Sequence, residues 1–362
     1  MVPVVDLSRW GTEAAEAYAE RVAAVARRGV FLLGDETRSF EAELAARADA
    51  TGDGSPHRAV AVASGATALQ LALRAVGVGP GDEVIVPAFT AVPTASAVAA
   101  LGAVPVPVDV EAHTANLDPR LVEAARTERT RAVVVVHLYG RPAIRPDTDL
   151  PVIDDAAQAQ GAVAHDGGSA AVAYSFYPTK NLGGIGDGGA VVSSDTALVE
   201  RVARLRGHGM TAQYVHEDVS QNFRMSEIEA AWLRLGLANL EAWNERRRAI
   251  VAHYRAAAPD LAWHADHPRH VHHLCVARFT RRDEVRALLA ERGVGTAVHY
   301  PLAITQQPAY LHLTRIPCPE AEAWAAECVS LPCFPHLTDA EVETVAEALA
   351  ALPPHLALGG HP

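Results

Sequence analysis

Lysine is almost absent from this chain of 362 residues: among its 31 basic side chains, Lys180 is the single lysine and the rest are arginine. Positive charge is scarce overall, since 43 acidic residues leave a net charge of -12. That balance argues against a nucleic-acid binder, which displays a basic face to offset phosphate charge, and leaves room only for a local anion site. Long apolar runs are missing too. Nothing approaches the roughly 18 to 20 residues that cross a bilayer, and the opening MVPVVDLSRWGTEAAEAYAERV turns polar too early for a signal peptide. A cytoplasmic protein with no membrane partner is expected. The four cysteines, Cys275, Cys318, Cys328 and Cys333, include no CxxC pair, so they read as buried apolar side chains rather than a disulfide framework or zinc ribbon. Disorder is excluded as well. With 49% hydrophobic and 20% charged residues, the chain buries a large core, in two domains or in one with an appendage.

The missing lysines have a chemical meaning. Drift toward arginine replaces lysine wherever only a positive charge is needed, but guanidinium stays protonated above a pKa of about 12 and cannot act as a nucleophile. A last surviving lysine is therefore a candidate nucleophile. A composition this skewed also leaves one residue by chance, and composition alone does not separate the two.

Helical spacing marks residues 13–27 and 38–48, the second introduced by Gly34-Asp35. From Ala59 the run AVAVASGATALQLALRAVGVGPGDEVIVPAF reads as strand, turn, helix, loop and strand, the alternation of an α/β sheet. Continuous apolar runs at 103–108, 132–136, 152–153, 171–176 and 190–193 suit strands covered on both faces. After about Leu240 a charged helix, WNERRRAIVAHYRAAA, leads to two short α/β patterns. The division expected is an N-terminal helical segment (1–30), a large domain (31–240) and a small C-terminal domain (241–362). The tail PPHLALGGHP is expected to be loosely held.

Lys180 sits in YSFYPTKNLGGIGDGGAVVSS, on a glycine-rich loop between strands where backbone can approach a ligand. Gly184 to Gly189 match G-x-G-x-x-G, yet a strand follows where a dinucleotide fingerprint needs a helix. Upstream, LPVIDDAAQAQG places Asp154 and Asp155 after a short apolar strand. Asp154 is expected to be a helix N-cap, whereas a carboxylate at a strand's carboxyl end meets ligands in α/β sheets. An acid and a lysine together match the two polar anchors of pyridoxal phosphate. Its phosphate needs an anion site, and Ser64-Gly65-Ala66-Thr67 opens a helix after a strand, with Ser175 able to add a hydroxyl. The histidines of WHADHPRHVHHL (His264, His267, His270, His272, His273) lack a completing ligand pattern, with His270 and His272 on one strand face and His273 on the other, so no metal is expected. The Arg246-Arg247-Arg248 run reads as a solvated helix face.

These residues resemble the DegT/DnrJ/EryC1/StrS family of nucleotide-sugar aminotransferases. The resemblance spans LLGDETRSFEAELA to VSLPCFPHLT through SGATALQLALRAVGVGPGDEVIVPAFT, VVVHLYG, VIDDAAQAQGA, SFYPTKNLGGIGDGGAV, RGHG, QNFRMSEIEAA and VHYP. It implies the pyridoxal-phosphate-dependent transferase fold type I: an α/β chain whose large domain has a mainly parallel central sheet, with a smaller C-terminal α/β domain. Lys180 would then be the Schiff-base lysine and Asp155 the partner of the pyridine nitrogen. Gln158 would lie near the ring hydroxyl, Gly65, Ala66 and Ser175 at the phosphate, and Asn222 would reach across from a second subunit of a homodimer whose site lies at the interface. Arg224, Tyr139 and Tyr300 are the implied substrate contacts. Pyridoxal 5'-phosphate, with pyridoxamine 5'-phosphate as its alternate form, is the implied cofactor. The implied substrates are an amino acid, glutamate by analogy, and a dTDP-linked keto-deoxysugar aminated at C3 in preference to C4. A cyclitol or aminoshikimate-type ring, or a noncatalytic regulatory role, are the alternatives. Departures fall near the ring and substrate. Ala91 stands where many relatives carry a stacking aromatic, leaving Phe89 as substitute, and Ser220, Thr305 and Phe334 replace a glycine and two histidines. The connection GRPAIRPDTDLPVIDD is also short.

Overall fold

The computed structural model describes residues 1–356 except 53, 164 and 314. Seven strands build the central sheet: β1 (Arg58–Val62), β2 (Glu83–Pro87), β3 (Val104–Val108), β4 (Thr130–Val136), β5 (Val152–Asp155), β6 (Ala171–Ser175) and β7 (Gly189–Ser193). Their order is β1-β7-β6-β5-β4-β2-β3. Only β7 runs against its neighbours, and the rest of the sheet is parallel. β2, β5, β6 and β7 are buried along their whole length, which explains why they read as unbroken apolar runs rather than alternating ones.

Helices cover both faces. The first eight are α1 (Thr12–Arg28), α2 (Asp35–Asp49), α3 (Gly65–Ala75), α4 (Val92–Ala99), α5 (Val122–Ala125), α6 (Thr196–Arg206), α7 (Glu227–Leu237) and α8 (Leu240–Ala257). Leu69, Leu73, Val98 and Leu205 pack with one another on one face of the sheet, and Phe40, Leu44, Leu233 and Leu237 pack on the other. There Phe40 meets Phe176 edge to face at 5.3 Å, and Phe176→Ala would cost roughly 3–5 kcal/mol.

A short hairpin, β8 (Met210–Ala212) with β9 (Val215–His216), stands exposed. Beyond α8, β10 (Ala262–Trp263), β11 (Cys275–Arg278) and β12 (Cys328–Leu331) form a second, antiparallel sheet. α9 (Arg282–Glu291), α10 (Pro319–Glu327) and α11 (Asp339–Ala350) complete the chain's helices. The N-terminus joins this second sheet's side: Val2 donates to Gly293 at 2.7 Å and accepts from Gly295 at 2.9 Å. At the other end Pro354–Leu356 form a turn with Leu356 buried, and residues 357–362 of the tail lie outside the described residues.

Two expectations are corrected. No helix follows Asp154, so it caps nothing. It lies inside β5, fully buried, where Arg145 donates to it at 2.6 and 3.0 Å and His137 approaches at 3.3 Å. The strand β11 starts only at Cys275, so the two-residue alternation assumed for His270 to His273 does not apply, and His272 has a positive φ of 42°.

Candidate active site

Strand register gathers the polar ends. Asp155 closes β5 beside Ala173 of β6, Ser175 closes β6 opposite Gly189, and Gly189 pairs on its other side with Val62, the last residue of β1. The turn Ser64-Gly65 that starts α3 therefore lies next to Ser175. Contact there is close: a Cβ on Gly65 would fall 2.4 Å from the Ser175 Cβ, and one on Gly189 would fall 2.2 Å from the Ser64 carbonyl oxygen. Glycine alone lets the three chains meet. Ser64 caps α3 by accepting from Thr67 N at 3.2 Å, and the helical ladder begins with Ala68 N to Ser64 O. The amides of Gly65 and Ala66 head the helix without helical acceptors, and with the helix dipole they make a cradle for a phosphate.

Asp155 is buried. Its Oδ2 accepts from the Thr94 hydroxyl of α4 at 2.9 Å and its Oδ1 from Ala157 N at 3.1 Å. Burial raises its pKa against these bonds and against the opposing charge of Lys180. Lys180, half-buried on the loop after β6, has its amine pushed down to about 8 by loss of water, with Asp155 opposing. The two anchors thus feel each other's charge.

Gln158 is clamped: its Oε1 accepts from Tyr139 N at 2.6 Å and its Nε2 donates to the Tyr300 hydroxyl at 2.8 Å. Tyr139, buried in a left-handed turn with φ 58°, donates its hydroxyl to the His299 carbonyl. Phe89 is placed differently from the ring-stacking role. It is fully buried, stacked with Trp324 at 6.2 Å and edged by Tyr139 and Tyr300, so it belongs to the core below the site. Asn222 and Arg224 are brought together with each other, Asn222 Oδ1 accepting from Arg224 Nε at 2.8 Å. Their segment runs along the end of β1, where Ala63 N donates to Phe223 O at 2.8 Å.

A cavity of about 250 Å³ opens beside Lys180, lined also by Thr179, Arg247, His273 and His299, with Val4 and Val5 of the N-terminus. Arg247, expected on a solvated helix face, is instead buried and donates to the carbonyls of His272 and His273 at 3.3 Å and of Cys333. The signal was available: Asn244, Arg247 and Val251 recur at helical spacing on the buried face of α8. His273 shares a hydrogen bond with Asn181 Oδ1 at 3.2 Å, and Asn181 donates to Asn244 at 2.8 Å, which braces the residue after the lysine. His264 bonds Thr114 O at 2.7 Å, and His270 stacks on His272 at 3.7 Å. Burial holds His264 and His272 near a pKa of about 3. Among the described residues no three His, Cys, Asp or Glu converge for a metal.

The glycine loop that follows the lysine is packed on Glu229 of α7. A Cβ on Gly184 would fall 1.8 Å from Glu229 Oε1. The carboxyl is buried, its pKa pushed up to about 7 by loss of water and lowered in part by the amides of Ile185 and Gly186.

Residues 12–350 match the model of the DegT/DnrJ/EryC1/StrS aminotransferase family. The chain belongs to this family. It is a pyridoxal-phosphate-dependent aminotransferase of α/β fold, and the residues present fit the cofactor: an anion cradle, a buried acid and a lysine of lowered pKa within one site. Among family members, a dTDP-3-amino-3,4,6-trideoxy-alpha-D-glucose transaminase from Streptomyces venezuelae is 44% identical, over 96% of this chain and 95% of that protein. The solved structure of DesV from S. venezuelae superposes with a TM-score of 0.88 at 41% identity, covering 96% of this chain and 97% of that one. NtdA from Bacillus subtilis, solved with bound pyridoxamine phosphate, gives 0.87 at 27% identity over 96% and 84%. Among the described residues of this family member no helix is long and apolar enough to cross a membrane.

Proposed function

We propose that this enzyme transfers the amino group of an amino acid, L-glutamate, to the ketone of a dTDP-linked keto-deoxysugar, at C3 in preference to C4. The supporting observation is the 44% identity, across nearly both full lengths, to a transaminase named for a dTDP-3-amino sugar. When bound, pyridoxal phosphate supplies an electron sink for the pair released at the amine-bearing carbon. The residues supply the rest. Gly65, Ala66 and Ser175 would hold the phosphate, leaving Asp155 to pair with the ring nitrogen. The Asp155 carboxylate, oriented by Thr94 and Ala157 N, keeps a proton on the ring nitrogen. Lys180 would hold the cofactor and, with its amine free, would take the substrate proton on Nζ and return it. An amine near pKa 8 suits that shuttle, because it is neutral often enough to accept and acidic enough to give back. Tyr139, Tyr300 and Arg224 are the proposed substrate contacts.

A homodimer with the site at its interface is part of this proposal. Tyr177 at 53% and Ile185 at 50% stand exposed on the loop that carries the lysine, and exposed apolar side chains there support an interaction face. Asn222 and Arg224 would serve the partner's site. We also retain the division into residues 1–30, 31–240 and 241–362, with the site between the last two, and a cytoplasmic location, which suits four buried, unpaired cysteines.

A panel of dTDP-3-keto and dTDP-4-keto deoxysugars and free keto-inositol, each with glutamate and read by mass spectrometry, tests the substrate. Amination of the 3-keto sugar is expected; amination of the inositol alone would overturn the reading. Mixing Asn222→Ala chains with Lys180→Ala chains tests the interface: heterodimers should regain activity, and no recovery despite subunit exchange would remove the contact in trans.

A further inference from the structure

Three of the chain's five tryptophans gather where the N-terminal turn Leu7–Trp10 meets α7 and α8. Trp10 lies 4.8 Å from Trp232 and 4.9 Å from Trp243, centroid to centroid, inclined at 45° and 78°. His336 closes a further side, 6.1 Å from Trp10 and 6.2 Å from Trp243. Tyr18 backs Trp232 edge-on at 5.1 Å, and Gly236, one turn on from Trp232, leaves room for the Trp243 ring, 3.5 Å from where its Cβ would lie. These rings wall a hollow of about 360 Å³ with Glu13 and Asn239 at its edge. The Trp232 indole N–H is engaged by the Gly183 carbonyl at 2.9 Å, so that ring offers the hollow no free donor.

The charge around the hollow is one-sided. Arg9, next to Trp10, is neutralised by Glu341 through two bonds at 2.7 and 2.8 Å and by Asp6 at 3.0 Å. His336 is held neutral by burial and by Arg247 and Arg9 nearby. Glu13 is exposed and makes no ion pair among the described residues. What remains is a set of electron-rich ring faces with one carboxylate at the rim. A cation is drawn to both: ring quadrupoles attract ammonium groups, most strongly at tryptophan. A methylated or quaternary ammonium suits them best, since it loses little hydration on entering an apolar hollow and needs no acceptor for N–H groups.

We propose that the Trp10–Trp232–Trp243 hollow binds an organic ammonium ion carrying methyl substituents. The site is separate from the cofactor cavity, with no lining residue in common, and a narrow crevice lies between them: Trp10, Trp243 and His336 line it together with Lys180 and Arg247.

The probe is choline chloride, titrated into the holoenzyme, with 3,3-dimethyl-1-butanol as its uncharged carbon isostere. Binding is read by tryptophan fluorescence and by saturation-transfer NMR on the methyl protons. Choline should bind saturably in the millimolar range and the isostere roughly tenfold more weakly. Glu13→Gln should weaken choline a few-fold, and Trp243→Leu, which keeps an apolar side chain on α8, should abolish saturation while the cofactor's absorbance shows the fold intact. If Trp243→Leu fails to fold, the Glu13→Gln shift and the isostere comparison decide. Equal binding of choline and isostere, no saturation at tens of millimolar, or choline binding unchanged in both variants would overturn the proposal.

Discussion

Because Lys180 is the chain's single lysine, its ε-amine can be titrated chemically without interference from others of its kind. The structure puts its pKa at about 8 through burial, against an ordinary 10.5. At pH 7 that makes roughly 9% of the amine neutral instead of about 0.03%, a gain of roughly 300-fold in the nucleophilic form. The perturbation is pH itself, applied to enzyme stripped of cofactor. Trinitrophenylation by 2,4,6-trinitrobenzenesulfonate, an electrophile that is attacked by the neutral amine and does not itself titrate over this range, is followed by mass spectrometry of the peptide carrying Lys180. Its rate should rise about tenfold from pH 7 to pH 9 and then level off, since an amine of pKa 8 is almost wholly neutral by then. An ordinary lysine would gain about a hundredfold over that interval and keep rising to pH 10. That second profile would refute the account of a desolvated amine. The direction of the Asp155 effect is a further check: its charge opposes the lowering, so Asp155→Asn should move the midpoint below 8, and a midpoint moved upward would contradict the geometry.

Gly65→Ala should lose cofactor affinity by at least about a hundredfold, because its methyl would fall on Ser175; equilibrium dialysis against pyridoxal phosphate measures this. Glu229 has a folded pKa raised from 4.5 to about 7, so its contribution to stability is complete below pH 4.5 and is lost as pH rises through 7, by up to roughly 3 kcal/mol. Glu229→Gln should therefore flatten the fall in Tm between pH 5 and 8 that the unaltered enzyme shows. Asp154→Ala removes the carboxylate between Arg145 and His137 and should destabilise by roughly 3–5 kcal/mol in denaturant titrations. A loss under 1 kcal/mol would show that the pair is dispensable.

The α/β alternation was legible because each buried strand is a continuous apolar run and each helix repeats at helical spacing, both of which are local patterns. Lys180, the Ser64-Gly65 turn and Asp155, whose roles are proposed, stood out for a related reason: each lies at or a few residues beyond a strand end, next to a change of pattern. Thr94 was not, since it meets Asp155 across 61 residues of sequence and a lone threonine on a helix carries no mark. Asp154 looked like a cap because its partner Arg145 lies in the preceding irregular connection, where no periodicity announces which way a side chain points. Phe89 was placed by proximity to Ala91, but an aromatic ring goes where it loses most water, here against Trp324. Arg247 shares its charge with two neighbours on α8, so composition alone does not distinguish it, and only the helix phase it shares with Asn244 and Val251 places it on the buried face.

The two bonds between Val2 and the backbone of Gly293 and Gly295 join segments about 290 residues apart in the chain. A ribosome adding about 5 to 20 residues per second makes Val2 on the order of 15 to 60 s before its partners exist. Through that interval Val4 and Val5 have no cavity to line, and Lys180 lacks the part of its surroundings that they and His299 supply. A chain halted before residue 293 would carry every residue proposed to hold the phosphate, and still leave Lys180 without the walls that Val4, Val5 and His299 provide.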